Sequence, residues 1–76
     1  MKIVTFQENG QWVAQCLEYD ICAQGTSEAD AIYWMFDCLS KQIILDIESQ
    51  EEPLKNIPPA PDSYRSMIDT RIITLK

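Results

Sequence analysis

The sequence predicts an α+β fold: a three-stranded antiparallel meander, one long helix packed on the sheet, a Pro-rich linker, and a short C-terminal helical turn and/or last strand. Three observations carry this prediction. Two short runs rich in β-branched and aromatic residues flank Asn9-Gly10, a capped apolar stripe with helical spacing runs from Ser27 to about Glu48, and four prolines from Pro53 to Pro61 interrupt the chain after it. The predicted organisation is one domain, with a βββα core over residues 1–48, the linker over 49–61 and an extension over 62–76.

Met1 to Phe6 (MKIVTF) reads as the first strand. Asn9-Gly10, within ENGQ, supplies the positive-φ residues that a two-residue type I′ turn needs, so Trp12 to Leu17 (WVAQCL) is the return strand of a hairpin. Alternation then places Trp12, Ala14 and Cys16 on one face, and Val13, Gln15 and Leu17 on the other. Glu18-Tyr19-Asp20 interrupts the apolar run, and Ile21 to Gln24 resumes it as a third strand that ends at Gly25.

Ser27 is an N-cap residue, and Asp30 three positions later makes a capping-box-like pair that also puts negative charge in the first turn. Ile32, Met35, Phe36, Leu39, Ile43 and Ile47 recur at three- or four-residue steps and form the stripe expected to lie on the sheet. Pro53, Pro58, Pro59 and Pro61 cannot sit inside a helix, so SQEEPLKNIPPAPDS reads as an extended linker. Asp62 is expected to cap one or two turns through Ile68, and Arg71 to Leu75 (RIITL) to form a last strand.

Composition narrows the chemistry. A chain of 76 residues removes only about 60% of its unfolded surface from water, so its core is thin even with 46% hydrophobic residues. With no histidine, Ser-His-Asp and Cys-His catalysis and histidine zinc sites are excluded, and three cysteines without CxxC spacing fall one short of a four-thiolate site. Those cysteines read as small buried hydrophobes. Gly10 and Gly25 are the only glycines, so no phosphate-cradling loop is present and no cofactor is expected.

Twelve acidic against six basic residues give a net charge of −6, which repels phosphate backbones and favours basic partners. Direct nucleic-acid binding is not expected. Nor is membrane insertion, because no apolar run approaches a spanning length and no leader segment is visible. The expectation is a cytoplasmic protein.

On the other side of the long helix a second apolar stripe stands out. Ala31, Trp34, Cys38 and Leu45 fall away from the sheet-facing positions, where a solvated helix is polar. Either the Pro-rich tail folds back over Trp34, or the stripe is an interface with a second copy or another partner.

The segment WVAQCLEYDICAQGTSEADAI, Trp12 to Ile32, resembles the HicB-like antitoxin family, with its partial RNase H-like fold. The resemblance rests on an ordered set: the aromatic-x-AxC strand Trp12 to Cys16, the acidic element Glu18 to Asp20, Ala23-Gln24-Gly25, and the Ser27 cap with Glu28 and Asp30. It implies a protein that binds and blocks a small basic ribonuclease toxin. No helix-turn-helix or ribbon-helix-helix module follows the helix, so the likeness is to short, stand-alone members, and operator binding is not expected of this chain.

Under that resemblance Glu18 and Asp20, with the exposed helix face around Trp34, are the residues expected to meet a basic partner. The alternative is an orphan homo-oligomer in which Trp34, Cys38 and Leu45 meet their symmetry mates. A metal-dependent nuclease reading is weaker. Glu18 and Asp20 sit two apart but have no evident third carboxylate, and Cys16 and Cys22 have no base beside them, so no catalytic residue is expected.

Overall fold

The computed structural model describes residues 1–64 and 71–74. Strand β1 (Lys2–Glu8) pairs antiparallel with β2 (Gln11–Cys16), in register from Ile3 opposite Cys16 to Glu8 opposite Gln11. Between them Asn9 and Gly10 have φ values of 52° and 79°, the left-handed pair a type I′ turn requires. Strand β3 (Cys22–Gly25) adds to β2, and β4 (Arg71–Thr74) adds antiparallel to β1, giving the order β3-β2-β1-β4. The predicted α+β class is observed, with the last strand completing a four-stranded sheet. Of the turns expected from Asp62 to Ile68, a 3₁₀ turn over Asp62–Tyr64 is described. The remainder, and Leu75 of the expected last strand, lie outside the described residues.

Helix α1 (Glu28–Glu48) packs against β2 and β3. The Ser27 hydroxyl accepts from the Asp30 N–H at 3.0 Å, while the Asp30 carboxylate accepts from the Thr26 N–H at 2.9 Å. The cap is therefore a capping box shifted by one residue, closing on Thr26 instead of on Ser27 itself. Gly25 makes the junction possible, because a Cβ there would lie 2.5 Å from the Ala31 nitrogen. At the other end Gln50 takes φ 59°, the Gln50 N–H donates to the Ile47 carbonyl, and the Glu51 N–H donates to that of Asp46. This is a Schellman closure without its usual glycine. Asp46 also holds the following chain, accepting from the Leu54 N–H at 2.8 Å.

Strand alternation divides the interior into two layers. On the helix side Ile3, Ala14 and Cys16 are fully buried with Ala31 and Met35, and Trp12, Ala23, Ile32, Phe36 and Ile73 pack around them. On the far side Val4 and Leu17 pack with Ala60, flanked by Phe6 and Tyr64. Two buried polar side chains are satisfied: the Thr5 hydroxyl donates to Glu28, and the Gln15 amide donates to the Cys16 carbonyl and to Asp20.

The Pro-rich segment therefore covers the far face of the sheet and leaves Trp34 open, against the first of the two alternatives raised for the outer stripe. The Asp20 N–H donates to the Pro58 carbonyl at 2.7 Å and the Ala60 N–H donates to that of Leu17 at 3.0 Å, which fastens the segment at one end of the sheet. The chain then climbs to place the Tyr64 ring 6.1 Å from that of Phe6. A helix leaving β3 ordinarily delivers the next strand parallel to β1. Here the climb along residues 58–64 reverses the chain once more, so β4 enters antiparallel.

Candidate interaction surface

Glu18 and Asp20 occupy the connection between β2 and β3, and both close the fold locally. The Glu18 carboxylate accepts the Lys2 N–H through both oxygens, at 2.9 and 3.0 Å, and lies 3.7 Å from the N-terminal ammonium. Asp20 accepts the Gln15 amide at 3.1 Å. Each is exposed, yet each is engaged by the start of β1 or by β2, which explains the alternating carboxylates without invoking chemistry. Among the described residues no group of three His, Cys, Asp or Glu side chains is placed to hold a metal ion.

The three cysteines separate. Cys16 is buried as expected, but Cys22 and Cys38 are exposed, because β3 is an edge strand and Cys38 lies on the outer side of α1. Partial burial, then the Asp20 carboxylate, then Cys38 raise the Cys22 pKa above the ordinary thiol value of 9.0. Its thiol is held in the protonated, weakly nucleophilic form at neutral pH.

Among the described residues, five of the six exposed large hydrophobic side chains lie on α1. Trp34 is 46% exposed, Leu45 55% and Tyr33 62%, and Ile44 and Ile47 are also more than half exposed. Three of the four residues predicted on the outward side of α1, Trp34, Cys38 and Leu45, are there. Ala31 is not: it is fully buried against the sheet. The close approach at Gly25 presses the first turn of α1 onto β3, and this widens the buried arc to include Ala31. Ile47 departs the other way, since a residue counted on the sheet-facing stripe is 59% exposed.

Tyr33 and Ile44 were not singled out from the sequence, although their spacing of 11 residues, like that of Trp34 and Leu45, was visible in it. The Tyr33 and Trp34 rings meet edge to face at 5.1 Å, and Lys41 pairs with Asp37 at 2.9 Å midway between the aromatic and aliphatic ends. That hydrogen bond raises the Lys41 pKa, leaving its charge fully present at neutral pH. A shallow groove of 310 Å³ lies between Lys41, Ile44, Leu45 and Glu48.

Beyond this groove the helix ends in negative charge. Ile47, Glu48, Glu51 and Glu52 are all exposed, no basic residue stands in the last turn, and Lys55 is the one lysine of the following turns. Carboxylates at the negative pole of a helix are unfavourable in the isolated chain. No helix of the described residues is long and apolar enough to cross a membrane. No family model, no curated protein and no solved structure matches the chain.

Proposed function

We propose that this chain is a small acidic binding protein of the HicB-like antitoxin type, which docks on and blocks a small basic ribonuclease toxin. The observation that carries this reading is the end of α1, where exposed Ile47 is followed along the chain by exposed Glu48, Glu51 and Glu52, with no basic residue in the last turn. A basic partner relieves the repulsion among these carboxylates and covers the adjoining apolar side chain, while the net charge of −6 steers its approach. Glu18 and Asp20, expected at this interface, are exposed but already bonded within the fold, so the proposed contact is centred on the end of α1.

The test is capture with the tagged chain from its native host at moderate salt, identification of co-purifying chains by mass, and a ribonuclease assay of the captured protein titrated with this chain. The expected result is a stoichiometric small basic ribonuclease whose activity falls to zero at equivalence. Replacing Glu48, Glu51 and Glu52 together by Lys is expected to abolish both capture and inhibition. A captured protein without ribonuclease activity, or one the chain does not inhibit, contradicts the reading. The alternative, an orphan homo-oligomer without a toxin, is favoured by the open Trp34 and Leu45 side chains, and recovery of the chain alone would select it.

A further inference from the structure

From the pattern on the outer side of α1, we infer that this face is a two-fold interface with a second copy of the same chain, the two helices crossing antiparallel about residue 39. This inference does not rest on the toxin reading, although Glu48 borders both surfaces. It rests on how the exposed residues are spaced. Trp34 and Leu45 lie on one edge of the outward face, Tyr33 and Ile44 on the other, and Asp37 and Lys41 lie between them. The positions sum to 79, 77 and 78, so a two-fold at about residue 39 exchanges the aromatic end of one copy with the aliphatic end of the other.

In that register Trp34 of one copy covers Leu45 of the second, and Tyr33 covers Ile44. The central Asp37 comes within reach of Lys41 across the axis, and the same contacts repeat by symmetry. Charge selects the direction. A parallel pair would stack Asp37 on Asp37 and Lys41 on Lys41, whereas the antiparallel pair sets opposite charges together twice. The edge-to-face packing of Tyr33 on Trp34 already orders both rings in the single chain, which lowers the entropy lost on docking. The groove between Lys41, Ile44, Leu45 and Glu48 receives the indole. A third-party apolar segment would fill the same groove, but only a second copy turned end for end sets Asp37 and Lys41 opposite each other twice while pairing the aromatic end with the aliphatic end.

Sedimentation and cross-linking together test the proposal. The wild-type chain is expected to sediment at twice its own mass, and Leu45→Glu to weaken association by about thirtyfold, the loss typical of one central anchor. Its far-UV spectrum is expected to stay unchanged, because Leu45 is more than half exposed and belongs to neither buried cluster. For orientation, Trp34→Cys and Leu45→Cys are each placed in a chain carrying Cys22→Ser and Cys38→Ser. Equal residues of the two copies stand about 16 Å apart along the axis, from 11 residues at 1.5 Å each. A bis-maleimide shorter than that is expected to link the two variants when mixed, and neither alone. A monomer at every concentration overturns the proposal, as does self-linking of each variant without linking in the mixture.

Discussion

From Glu28 to Leu39 helix α1 lies on the sheet and buries Ala31, Met35 and Leu39, whereas from Ser40 to Glu48 it buries no residue and leaves Ile44, Leu45 and Ile47 more than half exposed. The apolar spacing is the same in both halves, so periodicity alone does not explain the contrast. Length does. A 21-residue helix spans about 31 Å, while the six residues of β2 span about 20 Å and the four of β3 about 13 Å. The helix outruns the sheet that supports it. Its second half is held by its C-terminal closure and by the Asp46 bond to Leu54, and its apolar side chains are left for something outside the chain.

Substitutions at equivalent places in the two halves sharpen this contrast. Met35→Ala has the largest expected effect, a loss of about 2–5 kcal/mol in denaturant unfolding, because the side chain is fully enclosed between helix and sheet. Ser27→Ala removes the hydroxyl that accepts the Asp30 N–H, and about 1 kcal/mol is expected to be lost in the same measurement. Ile47→Ser is expected to change stability by less than about 0.5 kcal/mol although it removes a large aliphatic group, since that group is exposed in the single chain. Equal losses for Met35→Ala and Ile47→Ser in dilute protein would contradict the division of α1 into a seated half and an overhanging half.

The same division explains what could be read in the sequence. Asn9-Gly10 and Ser27 announce their turn and cap because a backbone conformation or an unsatisfied N–H demands those residue types locally, and the hairpin and the helix start stand where they point. The alternation of Trp12 to Leu17 likewise assigns the two sheet faces correctly. Contacts set by distance along the chain were not legible. The helical angle of Ala31 points outward, but burial there depends on how closely Gly25 lets the backbone approach. The same angle points Ile47 inward, yet it is 59% exposed in the half of the helix that buries no residue.

The Pro-rich stretch shows a third kind of difficulty. Its prolines exclude helix and favour extended backbone, which reads equally as a free linker or as a strap across a sheet. The residue that decides, Ala60, is small and has no periodic partner in sequence, yet it is buried on Val4 and Leu17. For the candidate surface, Trp34 and Leu45 were visible as apolar residues out of place. Tyr33 and Ile44 gained meaning only once the exposed faces were known. Glu18 and Asp20, whose alternate spacing lacks a third carboxylate for a metal site, are each taken up by a separate structural task in the fold.

Amide hydrogen exchange along α1, measured in dilute and in concentrated protein, tests the central claim most directly, because it separates support by the sheet from support by a second copy. At low concentration the account predicts strong protection over the turns around Met35 and Leu39 and weak protection over residues 42–48. At high concentration protection is expected to extend through residue 48, with the turns around Met35 little changed. Uniform protection along the whole helix in dilute protein, or a C-terminal half that stays unprotected at every concentration, would contradict it.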